Sequence, residues 1–529
     1  MSSQASPPFD EPSADIIICS SDNVLFRLHR VILSLASDFF KDMLSLPQPG
    51  HQSPTTSDSC CVDGLSVIRV SEPSDVLDRL FRLCYPVDDP ALGTTDELCS
   101  TLEAALKYQM AEAVKITKRQ LRSLATRQPL SAYAIACHFE LEAEAEAAAV
   151  EVLKQSAHGR YFPELEDIPI GAYHRLLSYC ERKGRVSDRF RFTFHTSGGG
   201  RERPTPASTP SLKEATLEPV VPILPNVLPD PQVAPYPFDS TDAEVTLIAS
   251  DGMEFRIFAS ILRIASPVLF SRISELQHPA PKRIPVSEPS RILSILLQIC
   301  YPVPDPRLSD LHDISAALVS AEKYKMQHAR QALRAALAAK GDGTSEDPVL
   351  LYAVACRFRM YGLALAAARR TLRTEIMKSP VAELDSIGVS GGSLYRLVAY
   401  RERCRAAVLS MFLGYHGNWI APEMTIELQD FCPLRRTSGL LNPCWYEPYM
   451  RQVSLEQWPS AEAVTNEEFL QGILESTRDP NGYSCNYCFT AHGAFLFMKF
   501  GKYVAEAIRA EENSQPLPWI PTIPEADTA

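Results

Sequence analysis

The chain is written twice. Residues 15–40, DIIICSSDNVLFRLHRVILSLASDFF, align with residues 244–269, EVTLIASDGMEFRIFASILRIASPVL, at a constant offset of 229. VSEPS at 70–74 recurs at 286–290, CYPVDDP at 84–90 recurs as CYPVPDP at 300–306, and KYQM at 107–110 recurs as KYKM at 323–326, now at an offset of 216. The first copy therefore carries extra residues in the polar, turn-rich stretch HQSPTTSDSCCVD around His51–Asp63, as a tolerated surface insertion should. The likeness runs on through YAIACHF at 133–139 against YAVACRF at 352–358, and RLLSYCER at 175–182 against RLVAYRER at 396–403. A repeat this long constrains the fold more than any single motif, because whatever one copy packs into must also suit the other.

Each copy reads as a mixed α/β unit. Asp15–Cys19 is a short apolar run, and Val24–Leu28 partly alternates; between them stand SSDN in copy one and ASDG in copy two. Asn and Gly there tolerate the positive φ of a tight turn, so each unit is expected to open with a β-hairpin. Apolar residues at 31, 32, 35, 36, 39 and 40 give His29–Phe40 a helical spacing. A strand is expected over Ser66–Val70. Glu72-Pro73-Ser74-Asp75 then opens a helix, with Pro in its first turn and acidic groups at its positive end. That helix puts Val76, Leu77, Leu80, Phe81 and Cys84 on one stripe, and copy two repeats it with Ile292, Leu293, Leu296, Leu297 and Cys300. Two more helices are expected around 95–109 and 112–125.

These residues resemble the BTB/POZ family. The run from Asp15 through His29, Leu33, Ala36, Ser37, Phe39 and Phe40 is similar to the family's opening: an Asp-initiated strand, a hairpin, then His-x-x-x-Leu-x-x-x-Ser and an aromatic pair. CYPVDDP resembles the variant found in fungal BTB proteins, and the whole chain is similar to a tandem-BTB protein of that type. In copy two, Glu244 replaces the Asp and Phe258 the His, so its likeness rests on register and core pattern. The resemblance implies an α+β fold with two BTB/POZ-like modules (β-hairpin, helix pair, strand, helices), each with a helical extension. It also implies association with other proteins, BTB-containing partners or a second copy, or pairing of the two modules within one chain, through a surface that includes Asp15, His29, Leu33, Ser37, Phe39 and Phe40. Some BTB proteins are substrate adaptors of cullin-type ubiquitin ligases, usually with a hydrophobic-x-Glu motif beyond the aromatic pair. Copy one reads MLSLPQPGHQ there, with no Glu, and Ile273-Ser274-Glu275 of copy two comes too early.

Around the modules, residues 1–11 are expected to be a disordered N-terminus. Residues 12–125 and 241–340 are the two modules, with helical extensions over 126–196 and 341–413. Residues 197–240 begin at SGGG and carry ten prolines from Pro204 to Pro237; Pro favours an extended, semi-rigid spacer, so this reads as a linker. Residues 414–529 form a small Cys-containing C-terminal domain without a counterpart in the repeat. The formal net charge of −12 repels phosphate, which argues against nucleic acid as the main partner. No apolar run approaches the length of a membrane span, and MSSQASPPFDEPSAD has neither the charged nor the apolar region of a secretory signal. Fourteen Cys scattered through apolar helical patterns fit a reducing compartment, cytoplasm or nucleus.

Three patterns carry candidate chemistry. Cys485-Asn486-Tyr487-Cys488, with His492 four residues on and Cys432 and Cys444 upstream, offers thiolates for a structural zinc ion. The bland alternative is four unrelated thiols in a hydrophobic region, and a redox C-x-x-C would need a thioredoxin-like βαβ pattern that is not present. Gly388-Val389-Ser390-Gly391-Gly392 matches G-x-S-x-G but falls between helical stretches; a nucleophile elbow needs a strand before it, so a turn starting the next helix is expected. Arg401, Arg403 and Arg405 read as a solvated basic face, and Cys84 and Cys300 as inert core thiols. The sequence thus predicts a scaffold without catalytic residues. Its rivals are a cullin adaptor and an enzyme using the C-terminal region.

Overall fold

Ile16–Cys19 (β2) is a run of apolar residues, all of them buried. A strand with no polar side belongs in the middle of a sheet covered on both faces. The computed structural model describes residues 3–45, 61–157, 159–193, 232–275, 282–342, 347–413, 418–429, 431–432, 436–437, 440–456, 458–477 and 485–518. Its contacts divide the chain into two units: residues 1–196 with Ser390–Tyr395, and the remainder. Residues 51–60 of the expected insertion and 197–231 of the expected linker lie outside the described residues.

In the first unit β2 pairs antiparallel with Val24–Leu28 (β3), Ile16 opposite Leu28. Asn23 turns the corner at φ 63°. On its other side β2 runs parallel to Leu65–Arg69 (β5), which carries a short antiparallel neighbour, Cys61–Val62 (β4). The far edge corrects the sequence reading of the N-terminus. Ser3–Gln4 (β1) pairs parallel with β3, and Phe9 is fully buried against Phe26, Phe81 and Tyr85, with ring centroids 5.7, 6.0 and 5.3 Å away. The flanking SQASPP and DEP hid one anchoring aromatic.

The helical run after β3 is broken. Arg30–Ala36 (α1) stops where Ser37 turns extended, at φ −143° and ψ 119°, and Asp38–Ser45 (α2) starts afresh. The Ser37 hydroxyl accepts from the Phe40 N–H at 3.0 Å and donates to the Tyr108 carbonyl at 2.5 Å. A side-chain oxygen that satisfies the first turn of α2 makes the break favourable. Ser74–Arg82 (α3) buries Val76, Leu77, Leu80 and Phe81, and Asp22 caps it, accepting from the Ser74 N–H at 2.9 Å and its hydroxyl at 2.6 Å. Thr95–Lys107 (α4), Ala111–Arg127 (α5), Pro129–His138 (α6), Glu142–Lys154 (α7) and Ile170–Glu181 (α8) complete the unit.

The second unit opens with the same elements: Val245–Ile248 (β6), Glu254–Ile257 (β7), Ala259–Ala265 (α9), Pro267–Glu275 (α10), Lys282–Pro285 (β8), Ser290–Cys300 (α11), Leu311–Lys323 (α12) and Gln327–Ala339 (α13). Strand order is β7-β6-β8, with β6 antiparallel to β7 and parallel to β8. Val233 bridges to Glu254 where Gln4 pairs with Leu25, so residues 232–240 pack with the second unit's first strands and not as a free linker. The polar fastenings recur too. Ser266 accepts from the Leu269 N–H and donates to the Tyr324 carbonyl. Asp251 caps Ser290, and Tyr301 accepts from the Phe258 N–H as Tyr85 does from His29. Pro348–Arg357 (α14), Tyr361–Thr371 (α15), Val381–Ile387 (α16) and Gly391–Met411 (α17) come next.

One recurring fastening sets a pH dependence. Glu72 accepts from Lys107 and Tyr108, and Glu288 from Lys323 at 2.7 Å and from Tyr324. Burial opposes ionisation of both carboxyls, but these donors outweigh it and hold each below the usual 4.5. A depressed carboxylate pKa stabilises the fold above pH 4.5, and that stability is lost as pH falls through the folded-state value. Glu288→Gln should therefore cost about 1–3 kcal/mol at pH 7. Urea midpoints measured downward in pH should show the gap between wild type and variant start to narrow below about pH 4.5, where the unfolded carboxyl takes up its proton, and close only once pH falls past the lower native-state value.

The C-terminal stretch is not a separate unit. Its core, built from Pro422–Leu428 (α18), Tyr446–Leu455 (α19), Glu467–Ser476 (α20) and Ala491–Ser514 (α21), also takes in Val408 and Phe412 of α17. Arg401 donates to the Thr374 carbonyl at 2.9 Å and lies 5.0 Å from the Trp458 ring centre, and Arg403 donates to the Pro516 carbonyl at 3.2 Å. Two members of the expected solvated basic face, Arg401 and Arg403, thus tie α17 to segments on either side of it in the chain, while Arg405 pairs with Glu402 on α17 itself.

Candidate functional site

Four cysteines distant in sequence meet beside this C-terminal core. Cys432 comes after α18. The short strands Arg436–Thr437 (β9) and Leu440–Leu441 (β10) pair antiparallel and bring the chain back to Cys444, just before α19. Cys485 and Cys488 flank a turn that leads into α21. All four Sγ atoms lie within 4.8 Å of one another; Cys432 is 3.4 Å from Cys444 and 3.5 Å from Cys485. Cys432 and Cys488 are buried, whereas Cys444 and Cys485 are half-buried. The Cys444 N–H donates to the Cys488 Sγ at 3.2 Å.

The thiols do not share one acidity. Burial opposes ionisation of Cys485, but the N–H groups of Cys488 and Tyr487 and the thiols of Cys432 and Cys444 outweigh it and bring its pKa to about 7. Burial, with the Cys432 and Cys485 sulfurs nearby, pushes Cys444 up to about 12; burial also drives Cys488 well above the thiol range. Such a cluster can release its protons to a cation. His492 is exposed and packs its ring 5.5 Å from that of Phe431, apart from the four sulfurs.

The residues expected at an association surface are distributed differently. Leu33, Ser37 and Phe40 are buried in the first unit, so these three are corrected to core and capping roles: the family pattern marks what folds the helix pair as much as what it presents. Asp15 accepts from the Arg30 N–H at 2.7 Å and caps α1. His29 is half-buried, 3.1 Å from the Ser13 hydroxyl and 3.2 Å from the Tyr85 hydroxyl. Phe39 is exposed, and sequence reasoning passed over its exposed neighbours Val31 and Leu35. The helical spacing at 31, 35 and 39 was visible, but not which side of the helix pair would face water.

The G-x-S-x-G stretch is a turn between α16 and α17. Gly388 ends α16 in the left-handed region at φ 69°, and the Ser390 hydroxyl donates to the Glu166 carboxylate at 2.6 Å. Cys84 and Cys300 are half-buried, and burial lifts their pKa values to about 12 and about 11. Among the described residues no helix is long and apolar enough to cross a membrane.

No curated protein matches the chain. The family model described as "BTB/POZ domain" matches residues 9–124. It starts at the buried Phe9 and ends within α5, enclosing β2, β3, the α1–α2 pair, β5, α3 and α4, so this chain carries a BTB/POZ domain, a protein-interaction module, in its N-terminal unit.

Proposed function

We propose that the protein is an association scaffold whose BTB/POZ domain pairs with a like surface on a second copy of the chain, and that residues 241–340 are a diverged second module of the same kind. The observation that carries this reading is the exposure of apolar side chains on the domain's first helix pair: on α1 Leu35 is 85 % and Val31 64 % exposed, and on α2 Phe39 is 39 % exposed. Exposed leucines are common singly; a group of three on one helix pair is the less ordinary feature. Ile264, which occupies the place of Leu35 in the second copy, is 84 % exposed. An apolar group at the same place in both copies suits contact between like surfaces. The second-module reading is supported by the shared strand order and by Ser266, Asp251 and Tyr301 standing where Ser37, Asp22 and Tyr85 stand.

Sedimentation of the full chain tests the reading. Wild type should show a mass that is a multiple of 58.7 kDa, and Leu35→Asp combined with Ile264→Asp should shift it to the single-chain mass. Both positions are exposed, so the double variant should keep its urea midpoint to within about 0.5 kcal/mol per site. A wild type that stays at the single-chain mass up to high concentration would overturn the proposal.

A further inference from the structure

We propose that Cys432, Cys444, Cys485 and Cys488 bind one structural Zn²⁺ that fastens the start of α21 to the segments on either side of the β9–β10 hairpin. The donor set is the first reason. Four thiolates and nothing else favour a soft or borderline cation, and the closed four-sulfur set leaves no position for a substrate. The spacing is the second. A tetrahedral ion with Zn–S of about 2.3 Å needs sulfurs about 3.8 Å apart, and these four lie within 4.8 Å of one another with close pairs at 3.4 and 3.5 Å. That is room for one ion; a multi-iron cluster would hold its outer thiolates farther apart. A disulfide would join one pair at about 2.05 Å and leave the other two thiols out, whereas here Cys432 is equally close to two partners.

The surroundings fit as well. The Cys444 N–H already donates to a ligand sulfur, the kind of backbone support that steadies thiolate sites. Cys488 comes three residues before α21, a helix of 24 residues, whose N-terminus favours negative charge. What the ion would hold is also defined. Trp445, next to Cys444, is fully buried, with Phe497 and Phe500 of α21 at 5.0 and 5.6 Å. Fixing Cys444 to Cys485 and Cys488 pins both sides of that contact and closes the long connection between them, which otherwise opposes folding entropically.

The test uses the full chain, purified without a metal-affinity step and dialysed against metal-free buffer. Elemental analysis should find about one zinc per chain. A mercurial titration of the wild type should release that zinc in step with loss of four thiols, and Co²⁺ in its place should give thiolate charge-transfer and tetrahedral d–d bands. Cys432→Ser and Cys485→Ser should each retain below about a tenth of the zinc, while His492→Ala keeps all of it. All four tryptophans come at or after position 419 in the sequence, and Trp445 is buried in this core, so chelation should red-shift the emission as Trp445 becomes wet. Absence of zinc together with a Co²⁺ spectrum lacking thiolate bands would overturn the site. Iron in zinc's place would overturn the metal assignment, and zinc removal that leaves the emission unmoved would overturn the structural role. The wild-type titration and the Co²⁺ spectrum decide the matter even where a Cys variant fails to fold.

Discussion

Phe9→Ala should lower the unfolding free energy of the BTB/POZ unit by about 3–5 kcal/mol, the range for truncating a buried aromatic. Phe9 is fully buried among Phe26, Phe81 and Tyr85, and the Arg82 guanidinium lies 5.6 Å from its ring centre. Its carbonyl also accepts from the Arg27 N–H at 2.9 Å. Deleting residues 1–11 should cost at least as much, since it also removes β1, where the Ala5 N–H donates to the Leu25 carbonyl at 2.9 Å. The two copies offer an internal check. Phe238 stands at the same place, 5.4 Å from Phe255 and 5.2 Å from Tyr301, with its carbonyl accepting from the Arg256 N–H at 3.0 Å. Phe238→Ala should produce a loss of similar size in the second unit. The measurement is urea unfolding monitored by far-ultraviolet circular dichroism. A midpoint unmoved by the 1–11 deletion would return that segment to the status of a loose tail.

Gly493→Ala is expected to destabilise the C-terminal core by about 2–4 kcal/mol, because overpacking against rigid neighbours cannot relax. A Cβ at Gly493 would sit 2.3 Å from the Cys488 carbonyl oxygen, 2.7 Å from its carbon and 2.8 Å from the Tyr487 oxygen. These are backbone atoms of the turn that presents two thiols, so either the turn or the first turn of α21 must move. The Thr490 hydroxyl, which accepts from the Gly493 N–H at 3.1 Å, would be displaced with it. Gly472 in α20 is the control: nothing lies within 4 Å of its added Cβ, so Gly472→Ala should be neutral or stabilising by about 0.5–1 kcal/mol through helix propensity. Tryptophan emission during urea unfolding reads both variants in the same region. Equal midpoints for the two would show that the approach of α21 to the Cys488 turn is not close in solution.

Much of this molecule was legible in its residues, and the reason is periodicity. The stripe Val76, Leu77, Leu80, Phe81 and its copy at Ile292, Leu293, Leu296, Leu297 could only be helix faces turned inward, and both are buried. The turns before β3 and β7 were readable because Asn23 and Gly252 tolerate a positive φ. The four cysteines could be named as one set because thiols near a C-x-x-C have a limited number of uses. The stripes and the turns are local matters, set by the chemistry of side chains a few residues apart.

Tertiary structure decided what no spacing encodes. Ser37 interrupts a continuous helical pattern because the Tyr108 carbonyl, far along the chain, is there to accept a hydrogen bond from its hydroxyl. Ile32 and Leu35 belong to one apolar pattern, yet the first packs against the core and the other is exposed, since only the packed sheet and α3 determine which side of α1 meets water. Phe9 sits in a stretch whose composition reads as loose chain, and only the cavity left between β3 and α3 makes it core. Convergence of Cys432 with Cys485 depends likewise on where α18 and α21 lie against Trp445. Side-chain periodicity fixes which residues must be hidden, whereas the energy of hiding them is shared among partners that the chain brings together only when folded.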